Sequence, residues 1–158
     1  MEIRDATIED AEAACEVTRR SIAELCVSDH KNDAAMLALW LSNKTATNFA
    51  AWITHHRNSF LVAVEEDVIV GVGALTDVGK ITLNYVSPDV RFRGVSRALL
   101  AALESRATEQ GNSRCTLTST ETAHRFYRDN GYIDNVSSAS KYSPSGHLMS
   151  KTLVSGKT

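Results

Sequence analysis

Cysteine and proline are scarce in this sequence, which has three cysteines and two prolines among 158 residues. The cysteines, Cys15, Cys26 and Cys115, are odd in number, widely spaced and outside any C-x-x-C pair. That pattern does not favour a cysteine-based redox or metal motif, and the sequence predicts no metal. Because each cysteine lies within an apparent helix or strand, we expect small buried side chains rather than reactive thiols.

Long apolar runs and an excess of one charge are also absent. No run approaches the roughly eighteen apolar residues of a membrane helix, and the first residues, MEIRD, lack a signal-peptide pattern, so we expect a cytoplasmic protein. A formal net charge of −2 gives no general attraction to nucleic acid or membrane, and neither is an expected partner. The nucleotide-binding motifs G-x-x-x-x-G-K-[ST] and G-x-G-x-x-G are missing as well.

What is present is the composition of an ordinary globular domain, with 43% hydrophobic and 23% charged residues. We expect one domain over residues 1–154 and a flexible tail over 155–158. Periodicity predicts strands at 2–4, 59–64, 68–75, 81–86, 114–118, 132–136 and 147–154, and helices at about 8–26, 33–41, 47–56, 95–110 and 121–130. In the second helix, Met36, Leu37 and Trp40 stand at core spacing.

The order of these elements indicates an α+β fold, with a central mixed sheet of about seven strands flanked by helices. Three consecutive strands, at 59–64, 68–75 and 81–86, are separated by short turns and form an antiparallel meander. The helix at 95–110 then joins the strand at 81–86 to the strand at 114–118. These two strands are therefore expected to be parallel.

The most informative segment is residues 91–96, RFRGVS, between a predicted strand and a predicted helix. Gly94 falls at the junction, where the unpaired N–H groups of a first helical turn and the helix dipole attract an anion. Arg91, Arg93 and Arg97 add positive charge. Helix starts prefer acidic residues, so three arginines here oppose the helix dipole unless an anion is bound. We interpret the segment as a pyrophosphate-binding turn; the alternative is a strand-to-helix turn that carries surface arginines.

Residues 86–100, VSPDVRFRGVSRALL, and residues 123–132, AHRFYRDNGY, stand at a distinctive spacing. The first resembles the acyl-CoA-binding motif of the GNAT N-acetyltransferases, whose core is [Q/R]-x-x-G-x-[G/A]. The second resembles that family's helix ending in F-Y-x-x-x-G-[F/Y]. Ser96 stands where the family usually has glycine or alanine, and Phe92 stands where glycine often follows the arginine.

The resemblance implies a GNAT-like acyl-CoA N-acyltransferase fold and an enzyme that moves acetyl from acetyl-CoA to a primary amine by direct attack on the thioester. Coenzyme A would lie where the two parallel strands splay apart, with its pantetheine arm pairing with the backbone of the first. The expected cofactor-binding residues are Tyr85, Val86, Arg91, Phe92, Arg93, Gly94, Val95, Ser96 and Arg97. The acceptor would be a small molecule, peptide or protein. Because relatives are often dimers, the resemblance also allows a homodimer.

Tyr127 of the F-Y pair is the expected general acid to the leaving thiolate, because the resemblance places it in that role. The alternative is a tyrosine that only packs its helix on the sheet. The base stays open between a water relay and Asp29 or His30, which lie between the first two helices; histidine titrates near neutral pH. Asn84 occupies a position where some relatives have glutamate.

The sequence also supports expectations for two other histidines and for two other functions. His124 is expected at an exposed helix position, and His147 opens the last strand. A non-catalytic CoA-binding or sensor module on the same fold is the alternative to the enzyme, and it would not depend on Tyr127. A nucleic-acid-binding domain would need a basic stripe, which the balanced charge does not favour.

Overall fold

The structure of the protein is a computed structural model that describes residues 1–135 and 146–153. Its strands are β1 (Glu2–Asp5), β2 (Asn58–Glu65), β3 (Val68–Thr76), β4 (Ile81–Val86), β5 (Arg114–Thr120), β6 (Ile133–Asp134) and β7 (Gly146–Thr152). Its helices are α1 (Ala11–Leu25), α2 (Val27–His30), α3 (Ala34–Leu41), α4 (Ala46–Thr54), α5 (Val95–Glu109) and α6 (His124–Asp129), with 3₁₀ turns at Ile8–Asp10 and Pro88–Val90. The predicted strand residues 136 and 154 and the predicted tail lie outside the described residues.

The strands form two sheets that meet at one point. An antiparallel sheet has the order β1-β2-β3-β4, and a second antiparallel sheet has the order β5-β7-β6. Within the described ranges, the only backbone pairing between the two sheets is a parallel bridge between Lys80, just before β4, and Thr116 of β5. Here the Thr116 N–H donates to the Gly79 carbonyl at 2.9 Å. The predicted seven strands and the parallel relation of these two are confirmed. Beyond the bridge the two strands diverge.

Helices cover both faces of the first sheet because successive side chains of its central strands point to opposite faces. Leu61 and Ala63 of β2 face a core cluster that contains the buried side of α5. Phe60 and Val62, one residue out of phase, face a second cluster that contains α1 and Phe49 of α4. Period-two alternation along a strand thus gives each face its own helical layer. No helix in residues 1–135 and 146–153 is long and apolar enough to span a membrane.

Helix α3 differs from the sequence prediction. Its eight residues, AAMLALWL, include none that is buried, and Met36 and Leu39 are 47% and 76% exposed. The helix begins where the Asp33 side chain accepts the Met36 N–H at 3.0 Å. Apolar spacing alone predicted core positions here, but burial depends on which helices pack against the sheets, and neither core cluster contains a residue of α3.

The three cysteines are buried and unpaired, as predicted. Burial raises the pKa of the Cys26 thiol to about 12 and that of the Cys115 thiol to about 11. Since the thiolate is the reactive form, these side chains act as small core residues at neutral pH.

Gly71 of β3 allows the first turns of α5 to lie close to the sheet. A Cβ at this position would stand 2.7 Å from Leu99 Cδ1 and 2.9 Å from Val95 Cγ1. We expect Gly71→Val to lower the free energy of unfolding by about 2 kcal/mol, because overpacking a dense core forces helix and sheet apart. Gly73→Ala is the milder control, since its Cβ would meet only the Leu103 side chain, at 3.1 Å. Urea unfolding measures both, and a wild-type midpoint for Gly71→Val would contradict the close packing.

Candidate active site

The divergence of β4 and β5 opens a cavity of about 520 Å³. One wall is formed by the last residues of β4, Asn84 to Val86, and the opposite wall by the end of β5 and the turn that follows. The first turn of α5 closes one side of the cavity, and Phe126 and Tyr127 of α6 also border the cavity. Because β4 has no ladder partner on this edge beyond Lys80 in the described parts of the chain, its backbone can pair with a ligand.

The α5 terminus that borders the cavity has the geometry of an anion site. Gly94 caps the helix with φ of 83°, a left-handed conformation that glycine adopts without a Cβ penalty. The first-turn N–H groups have no partner within the helix, and Ser96 adds a hydroxyl beside them. Arg91 and Arg97 also border the cavity, and neither forms an ion pair with any described carboxylate. Two uncompensated guanidinium groups at a helix N-terminus favour a phosphate ligand.

Tyr127 lies on the α6 side of the cavity and is almost fully buried. Its ring packs edge-on against Phe126 and Tyr132, at centroid distances of 5.2 and 5.6 Å. Burial raises the pKa of the Tyr127 phenol to about 12, and a side-chain hydrogen bond with Asn84 partly opposes that rise. The phenol is therefore protonated at neutral pH and can donate a hydrogen bond into the cavity.

Asn84 carries the only buried side-chain oxygen or nitrogen in the described parts of the chain that lacks a hydrogen-bond partner, its Oδ1. The residue borders the same cavity as Tyr127. A buried unpaired acceptor typically costs about 1–3 kcal/mol. An unpaired acceptor on a residue that borders a cavity indicates a place for a hydrogen-bond donor from a bound molecule.

His30 is buried, with both ring nitrogens already engaged. Nε2 lies 3.0 Å from the Ile22 carbonyl oxygen, and Nδ1 accepts the Asn32 N–H at 3.0 Å. Because a carbonyl only accepts and an N–H only donates, the hydrogen is on Nε2 and the lone pair of Nδ1 is in use. The ring has no free lone pair for a proton from substrate, so the geometry does not favour His30 as the base.

Asp29 is also buried, and its carboxylate connects α2 to the turn after β5. One oxygen accepts the Glu121 N–H at 2.6 Å, and the other accepts the Thr122 N–H at 3.1 Å and the Thr122 hydroxyl at 2.6 Å. This turn leads directly into α6. Asp29 therefore holds the start of the helix that carries Tyr127, and neither Asp29 nor His30 is among the residues that border the cavity.

Comparison with known proteins agrees with this geometry. Residues 16–153 match the family model described as the acetyltransferase (GNAT) domain. The chain belongs to the GNAT acetyltransferase family. This confirms the resemblance seen in the sequence. No protein with curated annotation matches the sequence.

Solved structures share the GNAT fold over nearly the whole chain. PaiA N-acetyltransferase from Thermoplasma acidophilum, in complex with coenzyme A, has a TM-score of 0.81 and 20% identity, covering 96% of this chain and 98% of that one. A GCN5-related N-acetyltransferase from Rhodopseudomonas palustris has a TM-score of 0.82 and 26% identity, covering 96% and 95%. The ribosomal-protein-S18-alanine N-acetyltransferase of Escherichia coli has a TM-score of 0.73 and 16% identity, covering 99% and 97%.

Nine of the ten residues predicted to bind acetyl-CoA or to act as the general acid border the cavity of this GNAT domain. They are Tyr85, Val86, Arg91, Phe92, Gly94, Val95, Ser96, Arg97 and Tyr127. The exception is Arg93, whose guanidinium points to Glu65 and donates to its Oε1 at 3.0 Å. The turn at 91–94 directs neighbouring side chains in different directions, a detail that a charge pattern does not reveal. The roles of all these residues stay predictions.

Phe92 has a strained backbone conformation within the 91–94 turn. Its φ is 66°, which is rare for a residue with a Cβ, and its side chain is 89% exposed. The Arg91 guanidinium lies over the Phe92 ring, 4.4 Å from its centroid. This contact offsets part of the cost of the turn.

Sequence reasoning missed the second wall of the GNAT cavity. Ser119, Thr120 and Thr122 border it from β5 and the following turn, and Leu25 and Cys26 border it from the end of α1. Hydroxyl-rich strand ends are common and carry no specific signal by themselves. The contacts of Asp29 span more than ninety residues of sequence and also had no local signal.

Asp29 offers a test that separates anchoring from catalysis. We expect Asp29→Ala to lower the free energy of unfolding by about 2 kcal/mol, because two buried N–H groups lose their acceptor. Asp29→Asn, which keeps one acceptor oxygen, should lose roughly half as much. Urea denaturation measures the change. A fully stable Asp29→Asn variant whose residual turnover is strongly reduced and has lost the acid limb of its pH profile would instead identify Asp29 as the base.

Proposed function

We propose that this GNAT domain is an N-acetyltransferase that moves an acetyl group from acetyl-CoA to a primary amine by direct attack on the thioester. The observation that carries the proposal is the single cavity shared by the α5 anion site, the free edge of β4, and the Tyr127 and Asn84 side chains. These parts together match a ligand with phosphates at one end, amides in the middle and a reactive thioester at the other end.

The binding groups fit coenzyme A in sequence along the cavity. The first-turn N–H groups of α5, the Ser96 hydroxyl, Arg91 and Arg97 hold the pyrophosphate. The backbone of Tyr85 and Val86 pairs with the pantetheine amides as an added strand would. Coenzyme A supplies the acetyl group as a thioester, and the protein supplies its orientation.

Tyr127 donates its phenolic hydrogen to the sulfur as negative charge develops there. A phenol with a pKa of about 12 cannot readily give up its proton to a thiolate with an ordinary pKa of about 8.5, since the transfer is uphill by roughly 5 kcal/mol. A strong hydrogen bond without complete transfer still stabilises the leaving group. Tyr127 therefore acts chiefly as a hydrogen-bond donor.

Asn84 orients the attacking amine. Its unpaired Oδ1 can accept one N–H of a neutral amine, and an amide is far too weak a base to take the proton fully. Because His30 and Asp29 are occupied by backbone contacts, the amine loses its proton to water. This retains the water relay as the route for deprotonation.

The pH profile of turnover tests the state of Tyr127. The donor role needs the protonated phenol, so activity is lost only as pH rises through a pKa of about 12. We expect kcat, measured at saturating acetyl-CoA and amine, to rise with deprotonation of the amine and to stay level up to about pH 10.5. An unshifted tyrosine would reduce it around pH 10. A fall centred there would contradict the shifted phenol.

The lack of a free base favours one second candidate. Among the described residues that border the cavity there is no histidine or glutamate, and the one carboxylate there, Asp129, is largely exposed and lies 3.9 Å from the Arg125 guanidinium. A non-catalytic CoA-binding or sensor module on the same fold would need only the anion site and the β4 edge. The two candidates share acetyl-CoA binding and differ in turnover.

Calorimetry with acetyl-CoA, together with free-thiol release, separates the candidates. The amine panel contains a polyamine, an aminoglycoside and a peptide with a free N-terminal alanine, the last because one GNAT relative is named for acetylating such an alanine. We expect one-to-one binding and thiol release with at least one amine above the rate without amine. Binding without amine-dependent release from any member favours the module, and absence of binding contradicts both candidates.

A further inference from the structure

Four metal-ligating side chains meet outside the acetyl-CoA cavity, where the start of α6 contacts the second sheet. His124 Nε2 lies 2.7 Å from Asp134 Oδ1, and His147 Nε2 lies 2.6 Å from Glu121 Oε2. The two imidazole rings stack on each other at a centroid distance of 3.8 Å and an interplanar angle of 15°. None of the four residues borders the cavity, so the cluster is separate from the proposed chemistry.

The donor atoms of this cluster suit a cation. Asp134 and Glu121 offer carboxylate oxygens, and His124 and His147 each offer an imidazole nitrogen. Imidazole and carboxylate together are common ligands of transition-metal ions. A divalent cation would neutralise the cluster and use the imidazole lone pairs.

The distances suit a single transition-metal ion. One ligand atom each from His124, Asp134 and His147 lies within 4.8 Å of the others. Ligands at about 2.0–2.2 Å around a tetrahedral zinc are separated by roughly 3.3–3.5 Å. The hydrogen-bonded pairs would open by less than an ångström, and the stacked rings would turn apart so that their in-plane lone pairs converge. Glu121 contacts His147 but lies outside the 4.8 Å group, so its 57% exposed side chain would also have to move inward.

We propose that His124, Asp134 and His147, with Glu121 as the fourth ligand, bind zinc or a similar transition-metal ion. Two imidazoles with carboxylates suit such ions, whereas calcium and magnesium prefer oxygen ligands alone. The side chains of His124 and His147 are 20% and 30% exposed, which leaves an open path for the ion. The sequence predicted no metal because these ligands are spread over more than twenty residues without a short motif.

The bound ion would join four elements: the turn after β5, the first residue of α6, β6, and the start of β7. Tyr127 lies about one helical turn after His124, so the ion would fix the position of the helix that carries it. With four protein ligands the site is structural rather than catalytic, because no coordination position is left for substrate.

Zinc binding to the full-length protein tests the site without any substrate. The protein is prepared without a histidine tag, stripped with EDTA, dialysed and titrated with ZnCl₂ in a calorimeter. We expect one ion per chain with a micromolar or lower Kd. At zinc concentrations a hundred times Kd, Tm should rise by about 5–10 °C. Co²⁺ should give a tetrahedral spectrum without the sulfur charge-transfer band that cysteine ligands produce.

A matched histidine pair provides the control. His55 and His56 also stack, with centroids 5.1 Å apart, but neither pairs with a described carboxylate. The double variant H124Q/H147Q should weaken zinc binding at least tenfold, whereas H55Q/H56Q should bind as wild type. Circular dichroism establishes that each variant is folded, and Asp134→Asn provides a milder ligand loss if H124Q/H147Q does not fold.

Each result of these measurements either supports or overturns the metal site. No saturable binding by the wild type below about 100 µM zinc overturns the proposal. Unchanged affinity in both H124Q/H147Q and Asp134→Asn overturns it as well, as does equal loss in H55Q/H56Q. Because acetyl-CoA takes no part in these measurements, failure of the metal site and failure of the proposed acetyl transfer are distinguishable.

Discussion

Ser96→Trp should abolish acetyl-CoA binding, with a loss of at least 100-fold in affinity measured by calorimetry. Ser96 is the second residue of α5 and borders the cavity beside the first-turn N–H groups. An indole there would fill the space assigned to the pyrophosphate and shield the backbone donors, each of which contributes a charge-assisted hydrogen bond. Ser96→Ala should stay within a few-fold of wild type, because the backbone donors remain exposed.

The same helix offers a matched control for this change. Ser105 is an exposed serine on α5, far from the anion site. Ser105→Trp should bind acetyl-CoA as the wild type does, which separates a local steric effect from a general effect of tryptophan on the helix. If affinity survives in Ser96→Trp, the assignment of the 91–97 loop to the pyrophosphate is wrong.

Tyr127→Phe should reduce kcat by roughly 10²-fold or more while acetyl-CoA affinity stays near wild type. The change removes only the hydroxyl, so the packing of the ring against Phe126 and Tyr132 is retained. The hydroxyl acts on the leaving sulfur, and its loss should therefore appear in turnover rather than in binding. Stopped-time thiol assays at saturating acetyl-CoA and amine measure the effect.

Tyr132→Phe is the control for this loss of a phenol. Tyr132 is buried next to Tyr127, but its hydroxyl donates to Glu104 Oε2 at 2.8 Å, and Lys151 donates to the other oxygen of Glu104 at 3.0 Å. Removing that hydroxyl should lower stability by about 1 kcal/mol and leave turnover largely intact. Unchanged turnover in Tyr127→Phe would remove Tyr127 from the mechanism and favour the packing role.

Most of the elements could be predicted because local sequence determines them. The β2–β3–β4 meander follows from three β-rich runs and short turns, and α5 follows from apolar spacing after Gly94. The sheet order confirms the antiparallel pairing of β2, β3 and β4, and the family model confirms the GNAT fold. Burial was less predictable: α3 is as apolar as a core helix, yet it has no buried residue.

The candidate site was predictable only on the side that is local in sequence. The 85–97 segment contains a strand end, a turn and a helix start in one continuous stretch, so nearly all of its predicted residues border one cavity. The direction of Arg93 toward Glu65 depends on the conformation of one turn, in which Phe92 takes a positive φ. Side-chain direction in such a turn cannot be read from residue type.

The sequence by itself determined the order of strands and helices apart from α2 (Val27–His30), the glycine-containing start of α5, and the likeness to GNAT acetyltransferases. These depend on hydrophobic periodicity, on a glycine at a helix start and on two short motifs, all of which are local. The tertiary structure alone decided that Asp29 and His30 are occupied, that Asn84 Oδ1 is unpaired, and that His124 and His147 meet. Each of these depends on contacts between residues distant in the chain or on the burial of single atoms, and only the packing of the whole chain sets both.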